Sequence, residues 1–412
     1  MINIAIIGSG GREHALEWEL AKSSNAEKIF VLPGNGGTEN NVKIDINNFE
    51  DIKKFCLEKN VELIVVGPEV PLVEGIVDHF SDTNIKVFGP DKKAAMLENS
   101  KIFSKHFMKK YSVATADYWE FSVEKDATEI VQKLDGKLVL KYDGLAGGKG
   151  VFVCDSVKEA MDSIQEIKAR YGETAKYLIE EKLIGQEVSI IGITDGKDIQ
   201  LLLPSQDHKQ LFDGDEGPNT GGMGAYCPAT FVDEKLMATI KSDIIEPTIA
   251  GIKNEKFNYK GVIYFGLMLT DDGPKVLEYN IRFGDPETEV ILPSLKSDLL
   301  ELILACFDGN LSTTKPEFYK KYFVDVVLAS GGYPNKYEKE YTISGLGNLS
   351  NETIIFHAGT RKENGKILTN GGRVLNVVTS GNDLNSTIEK VYKECEKISF
   401  KDIYYRKDIG KR

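Results

Sequence analysis

The chain is expected to be an α/β protein. It should open with an N-terminal doubly wound parallel-sheet domain, continue through a larger middle region of strands around glycine-rich loops, and end in a C-terminal mixed α/β domain. Three observations carry this expectation. Over the first hundred residues, short apolar runs alternate with helical stretches, the rhythm of βαβ units. From about residue 138, strand-like runs enclose a glycine-rich turn instead of a helix. From about residue 322 the pattern restarts with closely spaced short strands.

Element by element, residues 4–7, 29–32, 63–66 and 87–88 are apolar runs that read as buried strands, with helices over 14–23 and 51–59 between them. A helix over 100–110 leads to strands at 138–142 and 150–153, a helix over 157–170, and strands at 177–181 and 187–193. An apolar run at 199–203 then enters residues 207–226, DHKQLFDGDEGPNTGGMGAY. This stretch holds glycines, acids and two basic groups with no apolar period, so loop backbone is expected. A long structureless loop inside a compact chain is usually functional or disordered. The amphipathic segment that follows at 233–252 tethers its far end, which favours an active-site wall. Strands at 262–269 and 275–280, one helix over 289–307 and a strand at 325–329 complete the reading.

The totals narrow the function classes. A length of 412 residues calls for two to four domains. A net charge of −12 argues against a nucleic-acid or anionic-membrane partner, and leaves room for small phosphorylated ligands held by a local cluster of cations. No apolar run approaches ~20 residues, so no membrane span is expected. The opening INIAIIG lacks a basic segment ahead of a long apolar core, so no secretion signal is expected and the location should be cytoplasmic. Cys56, Cys154, Cys227, Cys306 and Cys395 lack CxxC spacing and read as reduced thiols.

Several motifs bear on chemistry. GSGGREHA places Gly10, Gly11, Arg12 and Glu13 between a strand and a helix start, where free N–H groups and the helix dipole can seat an anion. Glu13 stands where a dinucleotide fingerprint needs glycine, so a nicotinamide cofactor is disfavoured. The alternative is a turn required only for packing. Glu69 of GPEVPL follows a parallel strand, at the edge where open α/β sheets bind ligands, or else caps the next helix. Lys101 of ENSK is a phosphate cation or a solvated helix lysine.

KYDGLAGGKGV joins two strands and departs from the P-loop pattern at Asp143 and Gly150. It reads as a flexible hairpin over nucleotide phosphates, with Gly144, Gly147, Gly148, Lys149 and Gly150 in the hairpin and Lys141 on the strand; a structural hairpin is the alternative. IEEKLIGQEVS offers Glu180, Glu181, Leu183 and Glu187 as a nucleoside site or an acidic surface linker. In VLEYNIRFGDPETE, Glu278 and Asn280 project from the same strand face, an oxygen pair that suits Mg²⁺ with nucleotide phosphates. Arg282 lies one step further along that face and can clamp a carboxylate or phosphate.

Together, GSGGREHA, PGNGGT, GPEVPL, the DHK…GPNTGGMGAY loop, EYNIRFGDPET, FHAGT, TNGGRV and YRKDIG resemble the phosphoribosylamine–glycine ligase family of the ATP-grasp superfamily, over essentially the whole chain. The resemblance implies an N-terminal domain over 1–102, an ATP-grasp core over 103–325 with a hinged lid subdomain over about 119–187, and a C-terminal domain over 326–412. It implies ATP-dependent joining of glycine to 5-phosphoribosylamine through glycyl phosphate, in purine biosynthesis, with Mg²⁺ or alternatively Mn²⁺. A monomer is an open expectation that the resemblance does not fix. On that reading the ATP site takes Lys101, Lys141, the 144–150 hairpin, Glu180, Glu181, Leu183 and Glu187. The metal sits on Glu278 and Asn280. Gly10, Gly11, Arg12, Glu13, Glu69 and Lys209 bind substrate, and Arg282, Asp207 and Asp213 act at the reacting centre. Many ATP-grasp enzymes carry another acidic ligand on the strand before the Glu-x-Asn pair. Residues 262–269 hold no acid, which leaves Asp213, Asp285 and Glu287 as candidates. Another ATP-grasp ligase or carboxylase, and a non-catalytic nucleotide sensor, are the competing readings.

Overall fold

A computed structural model describes residues 1–411 except 124 and 148. Strands β1 (Ile2–Gly8), β2 (Ala26–Pro33), β3 (Val61–Val66) and β4 (Lys86–Pro90) form a parallel sheet in the order β2-β1-β3-β4. Alternate residues face opposite sides. Ile4, Ile6, Leu63 and Val65 pack with Ala15, Leu16 and Leu20 of the helix Gly11–Leu20. Ala5, Ile7, Ile64 and Val66 pack with Ile52 and Cys56 of the helix Phe49–Glu58. Burial on both faces explains why these strands read as continuous apolar runs.

The next sheet stands apart. Strands β5 (Tyr118–Ser122), β6 (Lys137–Tyr142), β7 (Val151–Asp155) and β8 (Lys176–Glu181) are antiparallel in the order β5-β8-β6-β7. With the helices Thr128–Lys133 and Val157–Tyr171 they enclose a core of their own, including Val131, Leu138, Leu140, Ile164 and Ile179. A separate core is what a lid subdomain requires.

Strands β9 (Gln186–Thr194) and β10 (Ile199–Leu201) return to the main body. The stretch expected as structureless loop is folded: it carries β11 (Gln206–Asp207), β12 (Gln210–Phe212), β13 (Glu216–Asn219) and β14 (Gly224–Cys227). Long-range pairing, which local composition does not report, overrides its glycine content. β12 and β13 pair with each other, and β14 pairs with both β11 and the C-terminal domain. Strands β15 (Tyr259–Thr270) and β16 (Gly273–Asn280) follow. β15 lies antiparallel to β9 and β16, and its first residues meet Pro90 and Gly89 of β4. The N-terminal and central sheets are therefore one eight-stranded sheet.

The single helix expected over 289–307 is two, Thr288–Ser294 and Leu299–Asp308. The polar run Lys296, Ser297 and Asp298 separates the two apolar stretches; Leu295 is extended, and the Asp298 side chain accepts from Leu300 and Glu301 N–H, starting a second helix.

The C-terminal part adds β17 (Tyr322–Ser330), β18 (Ile354–His357), β19 (Thr360–Glu363), β20 (Lys366–Thr369), β21 (Arg373–Gly381) and β22 (Ile403–Tyr404). Its main sheet runs β11-β14-β17-β21-β18, so two strands from the 207–226 stretch complete it. The breaks expected at 102/103 and 325/326 fall inside the helix Lys101–Lys110 and inside β17. Among the described residues no helix is long and apolar enough to cross a membrane.

Candidate active site

A cleft of ≈ 610 Å³ opens between the lid sheet, the central sheet and the 207–226 stretch. From the residues named in the sequence it gathers Arg12, Glu69, Lys101, Lys141, Gly147, Gly150, Glu180, Glu181, Leu183, Glu187, Asp207, Lys209, Glu278, Asn280 and Arg282. Six other residues are placed elsewhere, and Gly148 lies outside the described residues.

The centre is β16. Glu278 and Asn280 face the cleft while Tyr279 turns to the core and hydrogen-bonds Thr248 at 2.7 Å. Loss of water would push Glu278 up, but Lys209, Lys141, Lys101 and Arg282 hold it below the usual carboxylate range. It is thus ionised at neutral pH. Lys101 is fixed by donating to Gly144 O at 3.1 Å, and its helix starts at Ser100, whose hydroxyl accepts from Phe103 N–H. Asp143, the residue that breaks the P-loop pattern, accepts from Ser100 Oγ and Ile102 N–H and so pins the lid hairpin to that helix.

Lys141 donates to Glu180 Oε2 at 3.0 Å and to Leu277 O at 2.8 Å. Lys105, not singled out in the sequence, reaches the same Glu180 oxygen at 3.1 Å. Arg282 is held by Glu98 at 3.2 Å and Glu69 at 3.6 Å, and donates to Asn280 Oδ1 at 3.2 Å. Loss of water lowers the Arg282 pKa, but Glu98, Glu69, Glu287 and Glu278 outweigh it and raise it. Glu98 also escaped the sequence reading, because one acid on a short helix carries no pattern.

On the opposite wall, Lys209 pairs with Glu187 at 3.0 Å. Asp207 is buried beside it. Loss of water, then Glu287, Glu187 and Glu278, raise its carboxyl to about 7 against the pull of Lys209. Glu287 accepts from Ser189 Oγ at 3.0 Å, which also meets Tyr264 OH. Arg373 of the TNGGRV segment was quoted without a role. It holds Asp285 at 3.0 Å and donates to Gly221 O, bracing the cleft edge.

Six expected site residues lie off the cleft lining. Glu13 does not reach the cleft: its carboxylate accepts from Gly10 N–H at 2.5 Å and from Arg12 Nε at 2.6 Å, filling the helix N-terminus itself. Gly10 and Gly11 do not line the cleft, and the Gly10 N–H is already taken by Glu13. A Cβ on Gly11 would lie 2.3 Å from Asn376 and 2.5 Å from Glu289. Asp213 accepts from Lys407 N–H, on the far side of its hairpin. Lys149 is exposed and does not line the cleft. Gly144 does not line it either, and serves through its carbonyl on Lys101.

The donor set, an ionised carboxylate and an amide oxygen on one strand face, fits two positions of the six-oxygen shell of a hard divalent cation. Among the described residues no group of three His, Cys, Asp or Glu could by itself hold a metal. Asp213 points away, Asp285 is paired with Arg373, and Glu287 is engaged by Ser189.

Comparison with known proteins identifies the family of the chain. Family models for phosphoribosylglycinamide synthetase match in three pieces: the N domain over residues 2–98, the ATP-grasp (A) domain over 99–288 and the C domain over 323–412. A phosphoribosylamine–glycine ligase from Clostridium acetobutylicum is 45% identical, with both chains covered in full. The human trifunctional purine biosynthetic protein adenosine-3 is 45% identical over 99% of this chain and 42% of its own length. The crystal structure of a phosphoribosylamine–glycine ligase from Thermotoga maritima superimposes with a TM-score of 0.86 at 35% identity, covering 99% of this chain and all of the other. Three consecutive domain matches, full-length relatives and a shared fold have one consequence: the chain belongs to the phosphoribosylglycinamide synthetase family.

Proposed function

We propose that the protein is an ATP-dependent carboxylate–amine ligase of purine biosynthesis, joining glycine to 5-phosphoribosylamine to give glycinamide ribonucleotide, ADP and phosphate. The observation that supports this best is Glu278, kept ionised by Lys101, Lys141, Lys209 and Arg282, beside Asn280 in one cleft under the lid hairpin. Phosphoryl transfer needs such positioning and charge neutralisation more than covalent help. A sensor without turnover has no use for four cations around one carboxylate.

A carboxylate is a poor acyl donor. In the proposed sequence a glycine carboxylate oxygen attacks the γ-phosphorus, the bond to the β–γ bridging oxygen breaks, and ADP departs. The amine nitrogen of phosphoribosylamine then attacks the carbonyl carbon of glycyl phosphate, phosphate leaves, and the nitrogen loses a proton. Lys101 and Lys141 are assigned to the nucleotide phosphates, and Glu181, Leu183 and Glu187 to the nucleoside, while Glu180, engaged by Lys105 and Lys141, anchors those lysines. Arg12, Glu69, Lys209 and Arg282 are assigned to the two other substrates. Asp207, raised to about 7, is suited to take the proton from the attacking amine. Glu278 and Asn280 would hold Mg²⁺, or Mn²⁺, whose contribution is to offset phosphate charge. Gly147 and Gly150 of the hairpin shield the acyl phosphate from water.

The test is ADP release in the presence of glycine and of phosphoribosylamine formed in the assay from ribose 5-phosphate and ammonia. Release should require both. Release that continues without glycine refutes the assignment, and a panel of other amino acids and bicarbonate separates it from a related ligase or carboxylase.

A further inference from the structure

The geometry points to Lys105 as a positioning residue for nucleotide phosphates: it keeps Glu180 paired, so that Lys141 is free to leave Glu180 for an incoming phosphate. This rests on the reading of the cleft as a nucleotide site.

Lys105 is 2% exposed. Its ammonium meets Glu180 Oε2 at 3.1 Å, Thr115 Oγ1 at 2.7 Å and Ala116 O at 3.2 Å. An ammonium has three donors, so Lys105 is fully engaged by the protein and has none to offer a ligand. Both side chains line the cleft, but Lys141 donates only to Glu180 Oε2 at 3.0 Å and to Leu277 O at 2.8 Å, which leaves it one donor for a ligand.

Two ammoniums therefore share one carboxylate oxygen, and they are not equivalent. Glu180 is 2% exposed and its other oxygen, Oε1, is buried without a partner. A buried carboxylate stripped of its only cation is strongly disfavoured. With Lys105 in place, Glu180 stays neutralised when Lys141 turns to a phosphate. Without Lys105, every phosphate contact by Lys141 would abandon a buried charge. Lys105 also spans the hinge: it comes from the helix Lys101–Lys110, grips Thr115 and Ala116 on the connector entering the lid, and reaches Glu180 at the end of the last lid strand.

The experiment compares the affinities of MgADP and adenosine for the wild type, Lys105→Met and Lys105→Arg, with thermal melting to verify the fold. Lys105→Met should weaken MgADP about 100-fold, in line with an uncompensated buried charge, and leave adenosine within about threefold. Lys105→Arg should recover most of the loss, because it restores the cation. Equal weakening of MgADP and adenosine, or unchanged MgADP affinity, overturns the proposal. Should Lys105→Met not fold, Lys105→Gln carries the same comparison with the same criteria. A wild type that binds neither ligand refutes the nucleotide reading itself, whereas a wild type that binds both, with an unaltered ratio in the variants, refutes only the role of Lys105.

Discussion

Replacing Asp207 with asparagine sets stability against activity at one atom pair. Asp207 is 8% exposed, with Glu287, Glu187 and Glu278 as like-charged neighbours and Lys209 as its cation. Desolvation and those neighbours raise it from 3.8 to about 7. A rise of roughly three pH units corresponds to a penalty on the order of 4 kcal/mol on the ionised form. Between about pH 4 and pH 7 the folded chain holds a proton here that the unfolded chain releases. Stability therefore falls as pH rises through that window, and the penalty is complete above it. Asparagine carries no charge, so Asp207→Asn should match the parent near pH 4 and exceed it at pH 8. The gain is smaller than the full penalty, because Lys209 loses a partner; about 2 kcal/mol is expected. Activity should move the other way. If Asp207 is the proposed proton acceptor, its loss should cost about 10²–10⁴ in rate, and the rise of kcat/KM through pH ~7 should vanish. Urea unfolding at pH 5 and 8, with ADP release followed over pH 6–9, measures both. A variant less stable than its parent at pH 8, or one that keeps the same activity limb, refutes this account of Asp207.

Two other predictions concern the metal pair and the 207–226 stretch. Glu278→Ala removes one of the two oxygens assigned to the cation and should abolish turnover while leaving the melting temperature close to the parent's; turnover that persists at saturating Mg²⁺ overturns the metal assignment. Arg406, 0% exposed, donates to Asp408, to Asp215 and to Gln210 O, tying the C-terminal segment to the β12–β13 hairpin. Arg406→Met should cost about 2 kcal/mol, below the 3–5 of a fully buried pair, since both acids retain some exposure. It should also raise the KM for glycine more than that for ATP, which steady-state kinetics and thermal melting check together.

What was legible in the sequence was whatever rests on local pattern. The apolar runs over 4–7, 29–32 and 63–66 become β1, β2 and β3 because strands covered on both faces must be apolar throughout. Glu278 and Asn280 share a face because side chains two apart on a strand do so wherever the strand lies. Gly144, Gly147 and Gly150 mark a hairpin because a tight turn between paired strands is a local property.

Only the tertiary structure decided which polar groups face the cleft and which brace it. Glu13 and Asp213 belong to segments that read as active, yet each is consumed by backbone N–H groups, Gly10 from its own turn and Lys407 from a segment nearly two hundred residues away. Glu98, Lys105 and Arg373 show no pattern in the chain and gain their positions through Arg282, Glu180 and Asp285, which are distant in sequence. The 207–226 stretch makes the same point. Its composition specifies a backbone able to approach ligands closely, but its pairing with β17 and its clamp by Arg406 are long-range contacts, and these turn Asp207 and Lys209 inward and Asp213 outward. Residue type sets what chemistry is available; the folded neighbourhood, by fixing partners and excluding water, sets which residues perform it.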